Sequence, residues 1–392
     1  MPPAGNACFR LHSAMRTYGI DSTVLTIIPS VRRSNVYSVK QGLKSFMIKI
    51  YNYVSESYKK RLLRPDSYFY SGLPLFSSSL HKEKIVQEAD VIYFHWIAGG
   101  CLRLNEVEKI ASTGKPIIFF MHDMWDFTGG CHHCFDCKEY ESGCKECHMF
   151  KHKNKLSEKQ IDIKRKIFSK YPNIVFISPS KWMANCARKS YALQNSKVFD
   201  VSNVVDETNF KPINKFISKQ ILNIPTDKKI ITFGCQAGTN NRFKGWDYLQ
   251  KAMSLLNRSD IHILIYGSDF DKKTQEQIKF PITFLGPIFD ETKLALICNA
   301  TDVFVSPSLA ESFGLTFLEN ILCDTPVVGF DNTAIREIVK TGVTGYLAKN
   351  KDYRDLANGI NMLLDSDLHV NDRITYSSKK CIDEHMHIIK SL

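Results

Sequence analysis

The amino-acid sequence predicts an α/β protein built from two parallel sheets, each covered by helices. Three observations support this. Short, nearly continuous apolar runs recur along the chain, amphipathic stretches separate them, and a polar segment with two prolines divides the pattern in two. Strands buried on both faces have such apolar runs, and strands that alternate with helices form parallel sheets. The length of 392 residues agrees, since one hydrophobic core seldom serves so long a chain.

The predicted strands are seven runs rich in β-branched and aromatic residues. In chain order they are 90–96, 115–122, 173–180, 229–234, 261–267, 301–308 and 325–330. The amphipathic stretches predicted as helices are 104–113, 156–170, 181–190, 245–257, 314–323 and 353–365. The polar segment 203–229 lies between the two halves of the pattern. We therefore predict an N-terminal domain over 1–205, a C-terminal domain over 206–370, and a final helix in 371–392 that packs back on the first domain. Ligands of such sheets bind at the carboxyl ends of the strands, so function is expected in a cleft between the domains.

The composition restricts partners and location without naming them. The net charge of +12 favours anionic partners, which include nucleic acid, phosphorylated substrates and anionic membrane surfaces. The chain has no run of eighteen apolar residues and no apolar core of a secretory signal near its start, so a cytoplasmic location is expected. Segment 40–64 is predicted to form a basic helix with interleaved aromatic residues. An ordinary solvated helix is the favoured interpretation, and docking on anionic lipid at the inner face of the membrane is the alternative.

The stretch "SPSLAESFGLTFLENILCDTPVV" (306–328) has the clearest chemical pattern. A buried strand ends in its serines, a short loop contains Glu311, and Gly314 precedes a helix. The free amides at the start of that helix can hold a phosphate or pyrophosphate. Glu319 follows in the same helix, where a carboxylate can accept the two hydroxyls of a ribose. The pattern therefore indicates a site for a nucleotide that carries a further group on its far phosphate. Alternatively, Glu311 is only a helix-capping acid and Glu319 a solvated one.

These residues resemble the signature of retaining glycosyltransferases of family four, which have the GT-B fold of two Rossmann-like domains. Further similar segments occur in the same order, among them "RLHSAM" (10–15), "MHDMWDFTGGC" (121–131), "SPSKWMA" (178–184), "FKGWDYL" (243–249) and "GVTGYLA" (342–348). The resemblance extends over nearly the whole chain. The segment "HDMWDFTGGC" is similar to a branch that builds bacterial surface polysaccharides such as capsule, O-antigen and exopolysaccharide. The resemblance implies transfer of a sugar from a nucleoside diphosphate sugar to a growing, lipid-linked glycan.

The resemblance also implies roles for individual residues of the second domain. Glu319 is expected to bind the ribose, and Glu311 to face hydroxyls of the transferred sugar. Lys244 is expected to neutralise the diphosphate, with Arg242 as a less secure partner because its spacing departs from the commoner one. The diphosphate gains negative charge as it departs, so cations here make a metal unnecessary. The backbone amides expected to hold the diphosphate are those of Phe313, Gly314 and Leu315.

In the first domain, His122 and Asp123 stand at the end of a predicted buried strand. By the resemblance, His122 lies beside the donor sugar and can hydrogen-bond a hydroxyl or the phosphate. A histidine with a structural role is the alternative, and for His95 that role is at least as expected. No residue is assigned as nucleophile. Asp123 or Asp126 could assist the acceptor, or the leaving phosphate could itself be the base.

The start of the chain departs from the family pattern. The first domain of the GT-B fold begins with a buried strand, whereas here "PPAGNA" resembles the loop that follows it and 6–19 the next helix. We therefore predict that the first strand of the N-terminal sheet is missing.

Five cysteines and two histidines lie in "GGCHHCFDCKEYESGCKEC" (129–147). Cys131, Cys137, Cys144 and Cys147 are the four that resemble the family branch, and Cys134 is additional. Four thiols in one loop can hold a structural zinc ion tetrahedrally; unliganded thiols are the alternative, and a catalytic metal is not expected.

Two other functions compete with glycosyl transfer. A non-hydrolysing nucleotide-sugar epimerase could use the same fold, but it would need other acid and base residues and lacks the paired-glutamate helix. A zinc-containing nucleic-acid-binding protein would account for the charge and the cysteines. However, the cysteines lie in one loop of an α/β domain and the basic residues are spread along the chain, so no nucleic-acid partner is expected.

Overall fold

A computed structural model describes residues 3–26, 35–39, 61–64, 70–73, 78–98, 102–234, 242–370 and 376–392. The chain forms two compact units. The first contains 1–202 together with 381–392, and the second contains 203–380. All strands paired within the described sheets run parallel, as the sequence predicts.

The first unit contains a four-stranded sheet in the order β3-β4-β5-β6. Its strands are Ile92–His95, Ile117–Phe120, Ile174–Ser178 and Lys197–Asp200. A separate pair is formed by β1, Val24–Thr26, and β2, Val36–Ser38. The helices assigned to the first unit are α1 Pro3–Thr17, α2 Lys84–Glu88, α3 Leu104–Ala111, α4 Leu156–Lys170 and α5 Lys181–Lys189.

The beginning of the chain is helical. Pro3 is the first residue of α1, so residues 3–7 of "PPAGNA" are helical and the prediction of a loop there is wrong. Proline is accepted in the first turn of a helix because the amide it lacks would have no partner there. Because the described residues begin with α1, the predicted absence of the usual first strand stays a prediction.

The second unit contains a six-stranded sheet in the order β12-β11-β10-β7-β8-β9. Its strands are Lys229–Gly234, Ile261–Tyr266, Ile282–Phe284, Val303–Ser306, Val327–Phe330 and Gly345–Ala348, numbered β7 to β12 along the chain. The helices are α6 Lys215–Ile221, α7 Trp246–Leu255, α8 Lys272–Gln277, α9 Glu291–Ala300, α10 Leu315–Leu322, α11 Ile335–Ile338 and α12 Tyr353–Leu364. Strands β8, β10 and β11 are buried along their whole length, and β7 is buried from Ile230 onward, because helices cover both faces of the sheet.

The last helix, α13 (Ser378–Lys390), belongs mainly to the first unit. Ile382, His385 and Ile388 are buried on it, and the phenol of Tyr93 lies 3.0 Å from Nδ1 of His385. The units divide after residues 202 and 380, whereas the predicted domains end at 205 and 370. No described helix is long and apolar enough to cross a membrane. Most of the basic segment 40–64, namely 40–60, lies outside the described residues.

Candidate functional site

The centre of the candidate site in the second unit is an ion pair between Lys244 and Glu311. The lysine Nζ lies 2.5 Å from Oε1 of the glutamate. The two side chains are 23% and 15% exposed, so both remain within reach of a ligand. Lys244 ends a short 3-10 turn after β7, and Glu311 follows β10. The carboxyl ends of these two neighbouring strands bring the residues together across 67 positions of sequence.

Gly245 fixes the turn that carries Lys244. Its φ of +72° lies in the left-handed region, and a Cβ atom there would stand 2.0 Å from the carbonyl oxygen of Pro307. The adjacent Leu309 N–H donates to the carbonyl of Phe243 at 2.9 Å. Only glycine permits so close an approach, and the turn is thereby held against the end of β10.

The loop after β11 holds the backbone of Glu311. The Glu311 N–H donates to Oγ1 of Thr333 at 2.9 Å, and the Thr333 hydroxyl donates to Oδ1 of Asn332 at 3.0 Å. The amide of Asn332 in turn donates to the carbonyl of Ser308 at 3.0 Å. Three strand ends, those of β7, β10 and β11, thus position one lysine and one glutamate.

Helix α10 begins beside this pair, as the sequence predicts. Gly314 is its N-cap, with a φ of +101°, and the buried Phe313 precedes it. Within the described chain, the backbone N–H groups of Phe313, Gly314 and Leu315 donate to no other backbone group. Such amides, at the positive end of a helix, form a site for an anion. Glu319 lies one turn further along α10 and is 4% exposed.

In the first unit, His122 follows β4 and pairs with His95 at the end of β3. Their Nε2 and Nδ1 atoms are 2.9 Å apart. Burial lowers the pKa of His122 to about 4, although the charge of Asp123 opposes this shift. Burial also lowers the pKa of His95, and the neighbouring His122 and His385 add to the effect. Both rings are therefore neutral near pH 7, when an imidazole can accept one hydrogen bond and donate another.

Asp123 belongs to a series of hydrogen bonds that was not predicted from the sequence. Its Oδ2 lies 2.7 Å from Nδ1 of His132, and Nε2 of that ring lies 2.8 Å from Oγ of Ser71. The backbone N–H of Trp125 and the indole of Trp96 also donate to Asp123, at 2.8 and 3.2 Å. Burial raises the pKa of Asp123, but the charge and hydrogen bond of His132 outweigh it and hold the pKa at about 2. The ionised carboxylate accepts from Nδ1–H of His132, which orients the ring and leaves Nε2 beside the Ser71 hydroxyl.

Two further buried residues, Asp126 and Lys164, interact electrostatically with Asp123. Burial and the charge of Asp123 raise the pKa of Asp126, while burial lowers the pKa of Lys164. The lysine Nζ donates to the carbonyls of Trp125 and Thr128, and it stands 3.7 Å from the Trp125 ring centroid. These contacts hold the loop that follows His122 in place. Asp126 is only 7% exposed, which makes it a poorer candidate than Asp123 to meet an acceptor.

The five cysteines of 129–147 are all free thiols. Burial raises the pKa of Cys144 to about 12 and that of Cys137 above its usual value. Across the described ranges, no group of three or more His, Cys, Asp or Glu side chains is already arranged to hold a metal ion.

The structure thus brings together Lys244, Glu311 and the start of α10 in one unit, and His122 with Asp123 in the other. Arg242 lies in the same 3-10 turn as Lys244, but its side chain is outside the description. His132 and Ser71 were missed because 61 positions separate them, and neither belongs to a sequence pattern that signals their contact.

Comparison with known proteins finds similarity to glycosyltransferases. Residues 228–366, all in the second unit, match the family described as Glycosyl transferases group 1. D-inositol 3-phosphate glycosyltransferase of Mycolicibacterium smegmatis is 30% identical over 172 residues, which are 41% of this chain and 38% of that protein. The chain thus matches less than half the length of that curated relative.

Solved structures match over almost the whole chain. Sucrose-phosphate synthase from Thermosynechococcus elongatus has a TM-score of 0.65 at 16% identity, with 97% of this chain and 91% of that chain covered. HepE of Anabaena, in complex with UDP and glucose, has a TM-score of 0.64 at 15% identity, with 100% and 98% covered. These similarities confirm the predicted GT-B fold.

Proposed function

We propose that this chain is a retaining glycosyltransferase that moves a sugar from a nucleoside diphosphate sugar to a growing, lipid-linked surface glycan. The observation that carries the proposal is the Lys244–Glu311 ion pair beside the amides of Phe313, Gly314 and Leu315. Lys244 supplies a cation and the start of α10 supplies backbone amides. Glu319 supplies a buried carboxylate one turn further along the same helix. This set suits a ligand with a diphosphate, a hydroxylated sugar on one side and a ribose on the other.

In this proposal, donor binding separates Lys244 from Glu311 and gives each side chain a new partner. Glu311 neutralises Lys244, and the backbone N–H of Glu311 donates to the Thr333 hydroxyl. When the diphosphate enters, Lys244 and the α10 amides take its charge, and Glu311 is released to accept sugar hydroxyls. Glu319, one turn further along α10, is the residue proposed to accept the hydroxyls of the ribose. Negative charge grows on the diphosphate as the glycosidic bond breaks, and Lys244 stabilises it without a metal ion.

The first unit supplies the acceptor side of the proposal. Neutral His122 can hydrogen-bond a sugar hydroxyl or the phosphate, and the chain through Asp123, His132 and Ser71 holds the loop that follows it. The motif "HDMWDFTGGC" supports a surface-polysaccharide acceptor. The positive net charge favours peripheral contact with an anionic membrane, where a lipid-linked acceptor resides.

A panel of nucleotide sugars tests the proposal. The purified chain is incubated with each donor, first alone and then with a membrane extract or with D-inositol 3-phosphate, the molecule named in the relatives. We expect transfer to the membrane extract from one donor, with the anomeric configuration retained in the product by NMR. Inversion would refute the retaining mechanism, and transfer only to inositol phosphate would refute the glycan acceptor.

Three variants assign the site. Lys244→Ala is expected to lower kcat by about 100-fold or more, as the loss of one transition-state charge contact does. Glu311→Ala is expected to lose transfer while nucleoside diphosphate binding persists. Lys293→Ala, an exposed lysine of α9, is the matched control and should retain full activity. Full activity of Lys244→Ala or Glu311→Ala would show that the site lies elsewhere.

A further inference from the structure

Four ring side chains lie together on one face of the four-stranded sheet, near the carboxyl ends of β3 and β4. Tyr93 and His95 are two residues apart on β3, and the register places His95 beside Phe120 of β4. His122 follows two residues after Phe120. The ring centroid of His95 is 6.1 Å from that of Tyr93, 5.4 Å from that of Phe120 and 5.1 Å from that of His122. His95 therefore contacts rings from both strands.

The last helix of the chain packs against two of these rings. His385 of α13 is fully buried, and its Nδ1 lies 3.0 Å from the phenol oxygen of Tyr93. The ring centroid of His385 is 5.8 Å from that of Tyr93 and 5.8 Å from that of Phe120. Both rings that α13 contacts in this way also contact His95. Because close packing restricts the rotation of side chains, the orientation of His95 is fixed by β3, β4 and α13 together.

The orientation of His95 matters for His122, because Nδ1 of the first ring lies 2.9 Å from Nε2 of the second. Within the part of the chain that the structure describes, this is the one side-chain hydrogen bond of His122. Both rings are neutral near pH 7, and a neutral imidazole has one nitrogen that donates and one that accepts. One ring of the pair therefore donates and the other accepts, so their tautomers are linked. Nδ1 is then the nitrogen of His122 that can bind a ligand.

We propose that His95 is a positioning residue, which engages Nε2 of His122 so that His122 binds the sugar or the phosphate through Nδ1. The inference rests on the proposed glycosyl transfer and on the role of His122 in it. If the ligand atom is a phosphate oxygen, Nδ1–H of His122 donates to it, and Nε2 of His122 accepts from Nδ1–H of His95. If a sugar hydroxyl donates to Nδ1 of His122, both tautomers are reversed. The bond between the rings persists in both cases, and His95 acts only through His122.

Substitutions of His95 test this role by removing or retaining its hydrogen bond. His95→Leu cannot bond to His122, and we expect kcat to fall by about 10-fold to 100-fold, as the misplacement of a catalytic group does. His95→Asn retains an amide nitrogen close to the place of Nδ1 and should recover most of that loss. His122→Ala should also lower kcat. Addition of His95→Leu to His122→Ala should then change kcat by less than about twofold, because His95 acts through the residue already removed.

Histidine ¹⁵N NMR of the ligand-free protein gives a second readout, which does not depend on activity. An imidazole nitrogen that carries a proton and one that accepts a hydrogen bond resonate in separate regions of the spectrum. The chain has twelve histidines, and His122→Ala identifies the signals of His122 by their loss. We expect both nitrogens of His122 to shift in His95→Leu, because the partner that determines its tautomer is gone. Unchanged His122 signals in His95→Leu would overturn the proposal.

His262→Leu is the matched control. His262 is also a buried histidine of a parallel strand, and its Nε2 lies 2.9 Å from the hydroxyl of Thr283, but it stands at the amino end of β8. The control should keep its kcat. Equal losses of kcat in His262→Leu and His95→Leu would overturn the proposal, as would full kcat in His95→Leu. A wild-type chain that transfers sugar from none of the donors would instead refute the proposed function.

Discussion

Single residues at strand ends determine the geometry of the donor-side site, and Gly245 is the clearest case. Its backbone is left-handed, and the carbonyl of Pro307 occupies the place where a Cβ atom would stand. A side chain here therefore meets two penalties, an unfavourable φ and a backbone clash. Because the clash falls between the Lys244 turn and the end of β10, relief of the clash must move the lysine away from Glu311.

Gly245→Ala tests this argument. We expect the free energy of unfolding to fall by about 2 kcal/mol or more, and nucleoside diphosphate binding to weaken at least tenfold. Gly342→Ala is the matched control. It has a similar φ of +78° but no atom within 4 Å of its Cβ position, so it should lose only about 1 kcal/mol and bind normally. Urea unfolding and calorimetric titration with UDP measure the two effects; equal losses in both variants would contradict the clash.

Asp123 is a second residue on which several neighbouring groups depend for their position. It accepts from the Trp125 backbone, the Trp96 indole and the His132 ring, and it is ionised at neutral pH. Asp123→Asn removes the charge and places an NH₂ group where a carboxylate oxygen accepts. Hydrogen bonds to a charged group contribute about 1.5–3 kcal/mol each, so we expect a loss of about 2–3 kcal/mol in stability.

Ser71→Ala provides the comparison for that variant, since it removes only the far end of the same chain. It should cost about 1 kcal/mol. The Asp123→Asn deficit should shrink as the pH falls from about 4 toward the native pKa of about 2, because the carboxylate of the unfolded wild-type chain is protonated before the native one. Denaturant unfolding at several pH values measures this, and a deficit that does not shrink in acid would refute the electrostatic origin.

At the scale of elements, sequence periodicity predicted those strands and helices that are buried in a regular pattern. All seven predicted strands exist, and the six predicted helices begin within two residues of their predicted starts. Strands β1, β2, β6, β9 and β12 were missed because each is only three or four residues long and partly exposed. The α10 site was foreseeable because Glu311, Gly314 and Glu319 are close in sequence. The Asp123–His132–Ser71 chain was not, since it depends on a contact between distant segments.

Helix α13 contains a buried histidine that makes its packing depend on pH. Burial lowers the pKa of His385 to about 4, whereas an unfolded chain titrates near 6.5. The unfolded state therefore binds a proton first as the pH falls, and stability is fully present above 6.5 and is lost progressively down to about 4. A difference of 2.5 pKa units corresponds to about 3 kcal/mol.

His385→Gln should flatten this pH dependence. The variant loses stability at pH 7 because the ring contacts with Phe120 and Tyr93 disappear, but it should lose less than the wild type between pH 7 and pH 5. Thermal unfolding across that range measures the slope. The pKa of His122 does not depend on His385, so its contribution to the slope is common to both proteins. An unchanged slope would show that His385 is not the titrating group.

At the scale of the whole molecule, the chain passes from the first unit to the second and then returns. The return is made by α13, whose first residues bond to the second unit, where Ser378 donates from its N–H to Glu207 at 3.0 Å. From Cys381 onward the helix belongs to the first unit, where His385 contacts Tyr93 and Phe120. The stability of the first unit is therefore expected to depend on the C-terminal residues more than that of the second.

Deletion of 381–392 tests that dependence. The truncation removes Ile382 and Ile388, and burial of each contributes about 1.5–3 kcal/mol. A total loss of about 3–6 kcal/mol is a large part of the stability of a typical domain. We expect hydrogen exchange to accelerate in β3, β4 and β5, while β7, β8 and β10 stay protected and UDP binding persists. Deletion of only Ser391 and Leu392, which are exposed, is the control and should change neither unit. If the truncation instead exposed both units equally, the two would form one cooperative folding unit, and the division of the chain at 202 and 380 would have no thermodynamic meaning.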